Sequence, residues 1–388
     1  MRDRTVRRDA GRMGRMYVRK GVRRRIYAML ACLVAMVAVM FSVISVYAWI
    51  RERAGDAAAA SGGDVVDGSS VVSIDENGNV VDEEGNVVGV FSGSVGLTPE
   101  EVEVQVANAR QEAATEVLEG IRTRINDGDS ILDILQPLYP DDLVVYSGGQ
   151  YHVVPIDYSL AQNQWDNANL NILETGEYQY LQDGQVISHK GIDVSEHQGD
   201  IDWNLVAQDG VEFAFIRAGY RGYGTGKLVE DTYFDANVQG AQAAGIKVGA
   251  YIYSQAITEE EAVEEANLVL EKVAPYTMEC PIVFDVEKVS GADGRMNALS
   301  IEERTALTQL FCQTIEDAGY RTMLYYNTEM GAMMLGLEAL EGYDKWFAAY
   351  RDSFYYPYAY KIWQYSQSGT VQGISTEVDL NISFEPLW

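Results

Sequence analysis

Apolar and polar positions change their pattern four times along the chain. From Ile26 to Ile50 there are 25 residues without a charge, rich in Ala, Val, Met and Leu. A helix of that length exceeds the ~20 residues needed to cross a bilayer core, and the stretch outruns the ~7–15-residue apolar region of a signal peptide. It is expected to be an uncleaved transmembrane signal-anchor helix in contact with the lipid bilayer. A signal peptide cleaved after Val46-Tyr47-Ala48 is the alternative. Residues 51–98 then read as an acidic flexible stalk with a near repeat, Asp75-Glu-Asn-Gly-Asn-Val-Val and Asp82-Glu-Glu-Gly-Asn-Val-Val. Asn77-Gly78 and Glu84-Gly85 are turn signals between short apolar pairs, so weak hairpins are predicted.

Thr98-Pro99-Glu100-Glu101 opens a helix with a cap, a proline at its first position and a capping-box glutamate. Val102, Val106, Ala109, Ala113, Val117, Ile121 and Ile125 form one stripe along it, which suits either a short coiled coil or a helix packed on its own domain. Residues 127–189 contain strand-like runs at 143–146, 151–155 and 178–181. Together, 99–189 read as a helix plus a small α/β module to which no chemistry is assigned.

From Lys190 onward, short apolar strands alternate with amphipathic helices. Strands are predicted near 191–194, 212–218, 247–253, 281–287, 321–326, 345–350, 360–365 and 376–382, with helices between the first five. Capping boxes start two helices, Thr258 with Glu261 and Ser300 with Glu303. The last three strands are joined by segments too short for full crossover helices. The predicted fold for 190–388 is therefore α/β, a TIM-like β/α barrel of five β/α units followed by three strands, close to the ~200-residue lower size of that architecture.

Charge sets the orientation. The chain carries −29 overall, yet residues 1–25 hold eleven Lys and Arg against two Asp. This basic arm is expected to stay cytoplasmic by the positive-inside rule, with everything after Arg51 exported. The acidic remainder repels phosphate backbones, so no nucleic-acid partner is expected. Cys32 lies in the apolar stretch, leaving Cys280 and Cys312 as two expected buried free thiols, with a single bridge as the alternative. Only His152, His189 and His197 are present, which disfavours a multi-histidine metal site.

Carboxylates carry the candidate chemistry. Barrel active sites form where the strands end at their C-terminal side, and Asp193, Asp285 and Glu287 fall there, with Asp379 on the last strand. Asp285 and Glu287 are two apart on one strand, which turns both side chains to the same face with Cα atoms about 6–7 Å apart. Burial and mutual repulsion should keep one such carboxyl protonated while another stays ionised, the division of labour that glycoside hydrolysis requires. Helix capping or pairing with Arg217 is the structural alternative for each acid alone.

Lys190-Gly-Ile-Asp-Val-Ser-Glu-His-Gln-Gly199 with Ile201-Asp-Trp203 resembles the opening of glycoside hydrolase family 25, the lysozymes also called N,O-diacetylmuramidases. The resemblance continues through Phe213-Ala-Phe-Ile-Arg-Ala218, Phe284-Asp-Val-Glu287, Tyr325-Tyr-Asn327, Trp346-Phe-Ala-Ala-Tyr350, Trp363-Gln-Tyr365 and Val378-Asp-Leu-Asn381. It covers 190–388 and nothing earlier. It implies a flattened barrel and cleavage of the β-1,4 bond between N-acetylmuramic acid and N-acetylglucosamine in peptidoglycan glycan strands, with no metal or other cofactor. By resemblance Glu287 is the general acid, and Asp285 orients the substrate's 2-acetamido group, which attacks in place of an enzyme nucleophile. Direct attack by Asp285 is the alternative. Asp193 and Asp379 would hold the ring and tune Glu287.

Tyr251, Tyr325 and Trp363 are expected to line the sugar cleft, with Gln198, Asn327 and Gln364 as hydrogen-bonding groups and His197 as a loop bridge. Two readings of other classes remain: a metal-dependent barrel phosphodiesterase or deacetylase using the same acids as ligands, and a non-catalytic wall-binding protein.

Overall fold

The computed structural model describes residues 65–67, 70–74, 79–81, 87–90, 99–291 and 293–388. The basic arm and the apolar stretch 26–50 lie outside the described residues, as does most of the predicted stalk. Among the described residues no helix is long and apolar enough to cross a membrane. The chain divides into two compact units, 1–113 and 114–388.

In the first unit, β1 (Val65–Asp67), β2 (Ser70–Ile74), β3 (Asn79–Val81) and β4 (Val87–Val90) pair antiparallel in that order. The parts of the near repeat among the described residues, 79–81 and 87–88, therefore lie on adjacent antiparallel strands. Helix α1 (Pro99–Asp127) follows. Of its apolar stripe Ile121 is buried, whereas Val106 and Ile125 are exposed.

The second unit is built around a closed barrel. Its strands are β10 (His189–Val194), β11 (Phe213–Arg221), β13 (Lys247–Ser254), β14 (Ile282–Val286), β15 (Thr322–Asn327), β16 (Asp344–Ala348), β17 (Ile362–Gly369) and β18 (Val378–Ser383). Pairing runs in sequence order from β10 to β18, and β18 returns to β10. Short β12 (Leu228–Glu230) only extends β11. The first seven barrel strands are parallel, while β18 is antiparallel to both neighbours. Asp379 thus reaches the mouth from the N-terminal end of its strand and sits directly opposite Asp193 in the ladder.

Helices α3 (Trp203–Gln208), α4 (Phe234–Ala243), α5 (Glu259–Val273), α6 (Ile301–Asp317) and α7 (Thr328–Met333) follow the first five strands. Ser300 and Glu303 form a reciprocal capping box; Thr258 caps Glu261, whose carboxylate bonds instead to the Ile257 amide. On α5, Ala262, Ala266, Val269 and Val273 are buried at three- and four-residue spacing, so one face of the helix lies on the barrel.

Strand alternation separates two cores. One set, including Phe213, Phe215, Val283, Met323 and Trp346, fills the barrel interior. The other, including Ile192, Val248, Phe284 and Leu324, faces the helices. Glycines make room for the interior rings: a Cβ on Gly191 would lie 2.1 Å from the Phe213 ring, and one on Gly249 2.5 Å from Phe215. Cys280 and Cys312 are free and buried.

Residues 128–188 pack on the barrel itself. They form α2 (Ile131–Leu135), the hairpin β5 (Asp142–Ser147) and β6 (Gln150–Pro155), and a small sheet of β7 (Leu170–Ile172), β8 (Tyr178–Gln182) and β9 (Gln185–Val186). Leu143, Val145 and Tyr180 belong to the same core as the barrel's outer face. Tyr178 stacks on Tyr365 at 4.1 Å, and Trp165 on Phe384 at 4.3 Å. Backbone bonds from Asn163 to Pro357 and from Ala359 to Ala161 fix the connecting segment.

Candidate active site

The strand ends bring four carboxyls to one cavity of about 290 Å³, which Asp193, Asp285, Glu287 and Asp379 line together with Tyr251, Tyr325 and Gln364. Trp346, Tyr350 and Gln367 complete it. Asp285 lies on β14 and Glu287 one residue past its end, and the two-residue spacing keeps both on the interior face. Neither Asp285 nor Glu287 pairs with Arg217, whose guanidinium is committed to Asp231 at 2.8 Å and Glu196 at 3.3 Å.

The two sides of the cluster differ in how their oxygens are satisfied. Asp193 Oδ2 accepts from Gln364 Nε2 at 2.9 Å and from Asn381 Nδ2 at 2.8 Å. Asn381 is held in turn by Trp346 Nε1 at 2.8 Å. Burial raises the Asp193 pKa against the opposing effect of these donors and of a hydrogen bond with Asp379. The same burial and the Asp193 charge push Asp379 up to about 9, so of this pair Asp379 is the acid that favours its protonated form. Across the cavity, Asp285 is buried with Oδ1 unpaired. Burial, then repulsion from Glu287 and Asp193, raises it well above the ordinary range, only partly offset by Arg217.

Burial also raises Glu287, while a hydrogen bond from Tyr325 opposes the shift and the Asp193 charge adds to it. Tyr325 donates at 2.8 Å to Gln364 Oε1, which also receives the Tyr350 hydroxyl at 3.0 Å. One phenolic proton thus has two acceptors within reach. When Glu287 ionises, Tyr325 can turn to it while Tyr350 keeps Gln364 satisfied. Burial thus raises all four carboxyls.

Two further cavities flank the first. One of about 670 Å³ is lined by Glu196, His197, Arg217, Tyr220, Tyr223 and Tyr253 among others. Tyr253 links it to the acids, because the Asp285 and Glu287 charges raise its hydroxyl in addition to burial. The other, of about 390 Å³, shares Glu287, Tyr325 and Tyr350 with the central cavity.

Not every predicted site residue faces the cleft. Trp363 turns outward: it is 1% exposed, donates to the Ala349 carbonyl at 2.7 Å and packs against Tyr178 and Phe354. Strand alternation requires this, since the neighbouring Gln364 points into the barrel. Gln198 is spent on a capping box, accepting from the Ser195 amide at 2.9 Å and donating to the Glu377 carbonyl at 3.2 Å. Asn327 caps α7 through the Met330 amide at 3.1 Å and borders the 390 Å³ cavity, as His197 borders the 670 Å³ one. Tyr253, Tyr350, Asn381 and Trp346 were not singled out. Tyr253 is two residues from Tyr251, and Asn381 two from Asp379, so the period of a strand already placed each beside a predicted residue. Among the described residues no group of three or more His, Cys, Asp or Glu side chains is disposed to hold a metal ion.

An eight-stranded β/α barrel with a buried carboxyl cluster at its mouth defines the class. The chain belongs to the glycosyl hydrolases family 25, whose family model matches residues 192–374. It is similar to an autolytic lysozyme of Clostridium acetobutylicum, with 29% identity over 193 residues, half of this chain and 55% of that protein. It is also similar to the uncharacterized protein YegX of Escherichia coli, with 31% identity over 205 residues, half of this chain and 68% of that one. A solved family 25 glycosyl hydrolase from Bacillus anthracis aligns with a TM-score of 0.45 and 26% identity, covering 55% of this chain and 96% of that one. The chain thus spans about half the length of the Clostridium relative.

Proposed function

We propose that the barrel is a muramidase that cleaves the β-1,4 bond between N-acetylmuramic acid and N-acetylglucosamine in peptidoglycan. Family membership and relatives named as lysozymes support the reaction class. The observation that carries the mechanism is the unpaired, buried Oδ1 of Asp285 beside Glu287, whose carboxyl pKa burial also raises. A buried carboxylate oxygen without a donor is costly, and a 2-acetamido N–H on the bound sugar supplies that donor. Supplying it lowers the Asp285 pKa and leaves the cluster's mobile proton to Glu287. Glu287 then protonates the leaving oxygen while the oriented acetamido carbonyl attacks the anomeric carbon, giving overall retention. Asp193, fixed by Gln364, Asn381 and protonated Asp379, holds the donor ring and supplies the negative charge that keeps Glu287 an acid.

The uncharged stretch 26–50 and the basic arm before it support a single-pass membrane anchor with the catalytic barrel outside the cell. The test of the reaction uses the full chain and its Glu287→Gln variant on purified peptidoglycan, with mass spectrometry of the new reducing ends. Muramic-acid ends from the wild type alone are expected. Glucosaminyl ends, or equal release by both proteins, would overturn the assignment.

A further inference from the structure

Residues outside the family match form one wall of the 390 Å³ cavity. Leu132, Val144, Val145 and Tyr146, from α2 and the β5–β6 hairpin, face Glu287 and Tyr350 across it. That volume lies within the ~300–1,000 Å³ of ligand pockets. We propose that this wall is a substrate subsite for the N-acetylhexosamine on the leaving-group side of the scissile bond, added to the barrel by residues 128–155. The proposal rests on the muramidase reading above.

Three observations converge on it. The first concerns position. The cavity touches the acid, Glu287, but none of Asp193, Asp285 and Asp379, which surround the donor ring. A sugar entering it therefore lies on the side where the acid delivers its proton. The second is that the wall is clamped to the barrel rim. Lys288 bonds to Glu329 and, at 3.1 Å, to Ser147 Oγ, which also bonds to Glu329; Arg351 reaches Asp133 at 2.6 Å with its guanidinium 4.1 Å over the Tyr355 ring. The third is chemical. These charges are paired among themselves, so apart from Glu287 the surface left for a ligand is aliphatic, aromatic and uncharged polar. Tyr146 is 51% exposed, and Tyr151 braces its ring at 5.0 Å. An aromatic face with a polar tip suits an uncharged pyranose better than a charged peptide.

Two substrates that share a donor half separate this subsite from the catalytic centre. One is a peptidoglycan-derived tetrasaccharide; the other is the disaccharide β-fluoride, whose leaving group has no ring to bind. In the full chain, Tyr146→Ala should lower the ratio of kcat/KM for the tetrasaccharide to that for the fluoride about tenfold, and Tyr146→Phe should restore most of it. An unchanged ratio with both substrates turned over would overturn the subsite and leave the muramidase reading standing. A wild type that turns over neither substrate would overturn that reading and the subsite with it.

Discussion

The two sides of the carboxyl cluster are built differently. On the β10/β18 side, Asp193 has two amide donors and a proton-bearing neighbour, and its donors are themselves held. On the β14 side, Asp285 keeps an oxygen unpaired although it is equally buried. Burial alone therefore does not distinguish the two acids. The distinction lies in which polar atoms the fold satisfies and which it leaves for the substrate.

The largest test of that contrast is Glu287→Gln, which removes the transferable proton and should cut kcat by about 10²–10⁴ with little change in KM. Next, Asp285→Asn should cost about 10²–10³ in kcat, because its amide can no longer accept the substrate N–H with charge. Both are read in steady-state kinetics. Gln364→Leu attacks the satisfied side. It strips a donor from Asp193 and should destabilise the fold by about 1–3 kcal/mol in urea unfolding, while raising the pH at which the acidic limb of kcat begins.

A further effect, independent of catalysis, is on the pH dependence of stability. Asp379 binds its proton up to about pH 9 when folded but only to about pH 4 when unfolded. Between those values the folded state holds more protons, so stability is greatest at the acidic end and falls as pH rises. The slope from this one group is at most about 1.4 kcal/mol per pH unit. Asp379→Asn should flatten the decline between pH 5 and pH 8 in thermal melts, and an unchanged decline would place the proton elsewhere in the cluster.

Much of the barrel was legible because short apolar runs, which mark all eight strands, alternate with amphipathic helices between the first five. The four acids were legible for the same reason, since a strand end fixes both height and face. Trp363 was not, because a β/α barrel is apolar on both sides of its wall and hydrophobicity does not choose between them. Gln364, the polar neighbour with no exterior partner, was the better guide to the inward face. Gln198 carried its own warning: Ser195 three residues before it spells a capping box. The eight-residue connection 370–377 is too short for a parallel crossover, which signals the reversed strand of Asp379. The docking of residues 128–188 was not legible, because it depends on side chains far apart in sequence, such as Tyr178 on Tyr365, meeting only after folding.

The claim that Asp285 waits for the substrate's acetamido group can be measured directly by titrating a non-hydrolysable thioglycoside of the substrate, which keeps the 2-acetamido N–H, into the wild type and Asp285→Asn. The account predicts tight binding to the wild type and at least a hundredfold loss in the variant. Equal affinity for the two proteins would contradict it.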